Sequence, residues 1–287
     1  MPYDARVPKP SRRRPDLGGE GDEVAELRQE LEQTRAEVRD LRRRLRRTRD
    51  RLRESRPRDD VGYLFVVTYG RSGSTLVQGL LNSIPGYVIR GENAQILRHL
   101  YEFHRAGMKL QRRGRGWLKS HPEHDEQPVT QPFYGAEAYP RVPPHPLFRR
   151  IALDVLLGPD EATRVVGFKE VHWDEPDTAH YVQWLQRVFP GARFLFNTRD
   201  LDDVAQSAWW GDDPDSRGRL ERIEADLLAL CDELGGAAYR IHYDDYTADP
   251  SVLAGLYEWL DEPFDVDRVR EVLGREHSFQ RKPDAEA

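Results

Sequence analysis

Apolar side chains recur every third or fourth residue from Val24 to Leu52, passing through Leu27, Leu31, Thr34, Val38, Leu41, Leu45 and Thr48. Four unbroken heptads with apolar residues or threonine at a and d predict a coiled-coil helix over residues 23–56. Glu30 with Arg35 and Glu37 with Arg42 occupy g and e′ positions that suit a parallel partner, so self-association through this helix is expected. The two threonines weaken the seam, and a single solvated helix, marginal at this length, is the alternative. The arginine run that follows, from Arg42 to Arg53, reads as a solvated face. Ahead of the helix, residues 1–22 carry proline, glycine and charge with no apolar period, which predicts a disordered tail.

The pattern changes after Pro57, and a globular domain is predicted over 61–287. GYLFVVTY (62–69) is a continuous apolar run, as expected of a strand buried on both faces, and it runs through a glycine-rich turn into a helical pattern at Leu76, Leu80 and Leu81. Further strands are predicted at 86–90, 164–168, 192–197 and 239–243, and helices at about 93–105, 179–189, 251–260 and 266–273. Residues 108–147 show no period and read as a functional insert or a mobile loop. Alternating strands and helices predict an α/β domain with a parallel sheet and right-handed crossovers.

Composition narrows the function. A net charge of −6 argues against a nucleic-acid binder. The single cysteine, Cys231, allows neither an internal disulfide nor a multi-cysteine zinc site. No run of 18 apolar residues occurs, and the first residues lack the apolar core of a signal peptide, so a cytoplasmic protein without a membrane span is expected.

The turn after the first strand carries the first chemical signal. A buried strand entering a helix through Gly70-Arg71-Ser72-Gly73-Ser74-Thr75 sets free N–H groups and a positive dipole end where a phosphate can approach. The usual nucleotide loop needs a lysine before its Ser/Thr, and here that lysine is missing. A second strand ends at Arg199-Asp200, and Ser207 follows eight residues beyond Arg199 on the predicted next helix. An arginine at a strand's C-terminal end lies where open α/β sheets bind ligands, and with a serine it can clamp one phosphate. Taken alone, Arg199 reads equally well as an ion-pair partner of Asp200 or Asp203. The two elements together imply a ligand with two separate phosphates.

TYGRSGSTL (68–76) followed by FNTRDLDDVAQS (196–207) resembles the sulfotransferases that use 3′-phosphoadenosine-5′-phosphosulfate (PAPS). The resemblance covers essentially all of 61–287 and implies a P-loop-like α/β domain behind the N-terminal coiled coil. It assigns Arg71, Ser72, Gly73, Ser74 and Thr75 to the 5′-phosphosulfate loop, and Arg199 and Ser207 to the 3′-phosphate. Val88-Ile89-Arg90-Gly91-Glu92-Asn93 resembles the segment of protein-tyrosine, carbohydrate and bacterial sulfotransferases in which the glutamate is the catalytic base. Gly167-Phe168-Lys169 resembles the strand whose lysine contacts the transferring group. Tyr243 matches a tyrosine that helps hold the nucleotide, and Arg281 with Lys282 match a basic stretch that closes over the 3′-phosphate.

The departures bear on the base. The phenol-type enzymes place lysine in the loop and a histidine two residues after a later lysine. Here the loop carries Arg71, and His172 stands three residues after Lys169, so the resemblance favours Glu92 over His172 as base. No metal is required by such a transfer. The implied acceptor is a hydroxyl or amine on a glycan, a small molecule or a peptide, and Trp117, Phe133, Tyr134, Trp209 and Trp210 are candidate wall residues for its pocket. A P-loop kinase, and a nucleotide-binding scaffold without catalysis, are the competing readings.

Overall fold

The computed structural model describes residues 31, 33, 34, 37, 38, 41 and 60–275. Two units divide the chain, Met1–Arg56 and Pro57–Ala287. In the first, the described positions are helical, and Leu31, Val38 and Leu41, three positions of the predicted seam, are exposed. The rest of the predicted tail and coiled coil, and the basic stretch with Arg281 and Lys282, lie outside the described residues.

Five parallel strands form the second unit's sheet: β1 (Gly62–Val67), β2 (Tyr87–Arg90), β3 (Val165–Glu170), β4 (Arg193–Thr198) and β5 (Ala238–His242). Their order is β2-β3-β1-β4-β5. The apolar run at the start of the domain is the central strand, and both of its faces are covered. Tyr63, Phe65 and Val67 join one core, Leu64 and Val66 the other. The first core is closed by α2 (Ile96–Ser120), α3 (His145–Ile151), α4 (Thr178–Val188) and α6 (Ser216–Leu234). The second is closed by α1 (Ser74–Asn82), α7 (Tyr243–Ala248), α8 (Ala254–Leu260) and α9 (Val266–Leu273). The short α5 (Leu201–Ala205) follows β4. From β1 the chain crosses toward β2, and from β4 it crosses toward β5. The C-terminal ends of β1 and β4 therefore flank a switch point, where sheets of this kind hold ligands.

The strands lie within a residue or two of their predicted places, and the helices differ more. The helix predicted over 93–105 continues to Ser120, so the first part of the supposed insert is regular structure. A turn of 3₁₀ helix occupies Ala136–Ala138, and α3 runs on into a π-helical segment, Ala152–Leu157, before the chain re-enters the sheet. Helix α5 stops at Ala205, so Ser207 lies in the turn beyond it rather than on a helix. Asp200 caps α5 by accepting from the N–H groups of Asp202 and Asp203, and those donors hold its carboxyl below the usual range. Helix α6, absent from the sequence reading, buries Leu220, Ile223, Leu227 and Leu230 along one stripe. No helix among the described residues is long and apolar enough to cross a membrane.

Candidate functional site

The loop between β1 and α1 is shaped by its backbone and by aromatic neighbours. Arg71 and Gly73 both take left-handed backbone angles, with φ of 70° and 82°. For Arg71 that conformation carries a strain cost of about 1–2 kcal/mol, and such outliers gather at ligand sites. A Cβ on Gly73 would sit 2.2 Å from the Tyr243 ring, and one on Gly70 would sit 2.6 Å from Trp209. Trp210 fixes the same turn by donating its indole N–H to the Gly70 carbonyl at 3.2 Å. Only glycine at 70 and 73 lets the loop lie this close to the rings. The first N–H groups of α1 have no intrahelical acceptor and face outward from this turn.

The loop is also pinned from beneath. Thr68 donates to the Asn197 carbonyl at 2.6 Å, its hydroxyl meets that of Ser72 at 2.6 Å, and Asn197 returns a hydrogen bond to the Ser72 carbonyl at 2.7 Å. Thr68, Ser72 and Asn197 are fully buried. The hydroxyl of Ser72 thus looks inward and holds the loop to β4, while Ser74 is buried and Thr75 is exposed. Sequence reasoning missed Asn197, whose one signal is its place two residues ahead of Arg199.

At the end of β4, Tyr69 accepts from the Arg199 backbone N–H at 2.9 Å and donates to Glu224 at 2.5 Å. Burial, reinforced by the Glu224 carboxylate, pushes the Tyr69 phenol far above its usual range, so it stays protonated and can donate. The Arg199 side chain lies over the Tyr243 ring at 4.6 Å, donates to the Arg71 carbonyl at 3.3 Å and reaches Asp203 at 3.2 Å. Its Nε is buried and has no acceptor among the described residues. Arg71 in turn donates from Nε to the Ser207 hydroxyl at 2.9 Å. Arg71, Arg199, Ser207 and Tyr243 therefore converge, and the Arg199–Asp203 pair weighed from sequence exists alongside that cluster.

A second cluster forms beyond β2 and β3. Lys169, its side chain 5% exposed, donates to Glu92 at 2.5 Å, while the Glu92 side chain is 51% exposed. Alternation along β3 puts Lys169 on the same face as Val165, the face covered by α1. Buried Glu170 accepts from the backbone N–H groups of Asn93 at 3.3 Å and Val171 at 2.9 Å, tying the Glu92 turn to the end of β3. After Asn93 the backbone passes through two more left-handed residues, Ala94 and Gln95, with φ of 53° and 61°. Gln95 donates to the His172 carbonyl at 2.8 Å. His172 borders a cavity of about 280 Å³, together with Tyr69, Gly70, Trp209, Trp210 and Arg219. Glu92 and Lys169 are thus in contact, whereas His172 is joined to their turn through its backbone. Trp117, by contrast, stacks on His121 at the far end of α2. Glu170 is the residue here that motif reading missed. Among the described residues no group of three or more His, Cys, Asp or Glu side chains is placed to hold a metal ion.

A family model described as "Sulfotransferase family" matches residues 64–266. Among solved structures, the chain is similar to a sulfotransferase domain from the curacin biosynthetic pathway, at 14% identity and a TM-score of 0.42, covering 76% of this chain and 79% of that one. It is similar to a sulfotransferase from Alicyclobacillus acidocaldarius at 16% identity and a TM-score of 0.39, covering 78% and 87%. It is likewise similar to sulfotransferase STF9 from Mycobacterium avium, at 16% identity and a TM-score of 0.40, covering 78% and 70%. No curated protein gives a significant match.

Proposed function

The chain belongs to the sulfotransferase family, and from that membership we propose that it moves a sulfuryl group from PAPS to an acceptor hydroxyl or amine, with Glu92 as general base. The observation that carries this reading is the Glu92–Lys169 contact, beside the glycine-rich loop and across it from the Arg71–Arg199–Ser207 cluster. Sulfuryl transfer, like phosphoryl transfer, depends mainly on in-line positioning and on stabilising the charge that gathers on the leaving group. The loop N–H groups and Arg71 would hold the 5′ phosphosulfate, and Arg199 and Ser207 the 3′-phosphate. The unpartnered buried Nε of Arg199 fits that assignment, since a phosphate oxygen would satisfy it. Tyr243, beneath the Arg199 guanidinium, keeps that group in place.

Lys169 has a dual role in this scheme. Before donor binding it neutralises Glu92. With donor bound, its ammonium turns to the sulfuryl oxygens and the bridging oxygen, where negative charge grows as the S–O bond to the nucleotide breaks. Glu92 is then free to take the acceptor's proton as the new S–O or S–N bond forms. His172 and Trp209, which border the neighbouring cavity, are the nearest candidates for acceptor contact.

Calorimetry tests the nucleotide assignment. 3′,5′-Bisphosphoadenosine should bind more tightly than AMP, ATP or GTP. Arg199→Ala should weaken it by about 1.5–3 kcal/mol, the range for hydrogen bonds to charged groups, or roughly 10- to 150-fold. Equal affinity for AMP, or an unchanged Kd in the variant, removes the 3′-phosphate site from Arg199.

We also assign the heptad segment 23–56 to self-association, outside the active site. A chain beginning at Val61 should retain turnover and lose self-association in light scattering. A monomeric full-length chain, or a folded but inactive truncate, contradicts this division.

A further inference from the structure

The groove between α2 and α4 gathers positive charge that the proposed reaction does not use. It encloses about 450 Å³, within the range of small-molecule sites. Tyr101 and Trp184 close its base and are nearly fully buried, and the Arg105 guanidinium lies over the Tyr101 ring at 5.5 Å. Arg105, Lys109 and Arg112 from α2 and Arg187 from α4 form its rim, and Glu102 is the one carboxylate among the lining residues.

These cations are not balanced locally. Arg105 is paired with Asp177, which Arg98 also engages. Lys109, Arg112 and Arg187 have no carboxylate partner among the described residues, and Arg112 has only the Met108 carbonyl, at 3.3 Å. On α2 the spacing Arg105, Lys109, Arg112 stacks like charges three and four residues apart, which is mildly destabilising. Arg187 adds a further charge from the facing helix. Its field reaches the interior: burial first, and then the Arg187 guanidinium, holds His145 below the usual imidazole range. For His104, burial and the neighbouring His145 come ahead of Arg187 in the same direction. In a chain with a net charge of −6, such a concentration of unpaired cations is a local inversion.

Position separates the groove from the Glu92 cluster. Lys109 lies thirteen residues beyond Ile96, about 20 Å along α2 at the helical rise per residue. The groove is therefore not the loop that would cradle the nucleotide phosphates.

We propose that this groove is an anion-binding site for a small molecule that carries a phosphate or sulfate ester. The ester sits among Lys109, Arg112 and Arg187. Arginine forks and a lysine point charge suit tetrahedral oxyanions. Phosphate and sulfate esters share this chemistry.

The test is a titration of the full chain with 3′,5′-bisphosphoadenosine at saturation, so that the proposed nucleotide site is filled. The probes are glucose 6-phosphate, glucose 6-sulfate, 4-nitrophenyl phosphate and 4-nitrophenyl sulfate, with glucose and 4-nitrophenol as neutral controls. At least one ester should bind ten or more times tighter than its neutral counterpart, and the tightest ester identifies the anion. Lys109→Gln with Arg187→Gln should weaken that ester at least tenfold and leave the Kd for 3′,5′-bisphosphoadenosine unchanged. Both residues are exposed, so the double variant should fold. Repeating the titration without nucleotide keeps this result separate from the proposed function. Esters that bind no better than the neutral compounds, or a double variant that binds like the wild type, overturn the site.

Discussion

Glu92→Gln should lower kcat by about 10²–10⁴-fold, the usual contribution of a positioned general base. The amide is isosteric with the carboxylate, and its carbonyl can still accept the hydrogen bond that Lys169 now gives Glu92 at 2.5 Å. The turn should also keep its shape, because the Asn93 N–H is held by Glu170 rather than by Glu92. Affinity for 3′,5′-bisphosphoadenosine should therefore stay near the wild-type value. The loss should appear equally in kcat and kcat/KM, since proton removal matters in the transition state and not in donor binding. Steady-state sulfate transfer from labelled PAPS to a working acceptor measures it. His172→Ala is the control, with a smaller expected loss, because His172 meets the Glu92 turn through its backbone carbonyl, which alanine keeps. If His172→Ala abolishes turnover and Glu92→Gln barely alters it, the base is the histidine.

Gly167→Ala should unfold the domain, costing more than about 4 kcal/mol, beyond the common range for single substitutions. Gly167 sits mid-strand in β3, paired with Leu64 on β1 and Ile89 on β2. A Cβ there would lie 1.6 Å from the Leu64 carbonyl oxygen and 2.7 Å from its carbon. No rotamer relieves a clash with backbone, so the central pair of strands must separate. That would disturb both the loop after β1 and Lys169, two residues along β3. Urea unfolding followed by circular dichroism reads the effect. A midpoint close to wild type would mean that the two strands can move apart at little cost.

Much of the architecture was legible because burial leaves a mark on residue type. GYLFVVTY could only be a strand covered on both faces, and it is the middle strand of five. The alternation of strand and helix patterns then required parallel crossovers. The stripe Leu220, Ile223, Leu227, Leu230 was equally available as a signal for α6, and it passed unread. Helix α2 is a different case. From its middle onward it carries Gly107, Gly114 and Gly116 and no continuous apolar stripe, so local propensity argues against a helix. It is helical because a distant segment packs on it. The Tyr139 ring occupies the space a Cβ on Gly107 would fill, Gln111 donates to the Tyr139 carbonyl at 2.9 Å, and Gln127 donates to the Gly114 carbonyl at 3.1 Å.

The candidate site divides along the same line. Sequence alone singled out the glycine-rich turn, Arg199 and Ser207 from their strand-end and loop positions, whereas Glu92, Lys169 and Tyr243 stood out only through the family resemblance. Only the tertiary structure decided which of them meet. It turned the Ser72 hydroxyl inward to Thr68, set Arg71 on Ser207 across 136 residues of chain, and paired Lys169 with Glu92 across 77. It also enlisted Tyr69, Glu170 and Asn197, which fix a backbone N–H or carbonyl of a neighbouring loop, and Glu224, which accepts from the Tyr69 hydroxyl. Such residues carry no motif of their own. A buried side chain's hydrogen-bond partner is set by which strands lie side by side, and that order is a property of the folded sheet rather than of any local stretch of sequence.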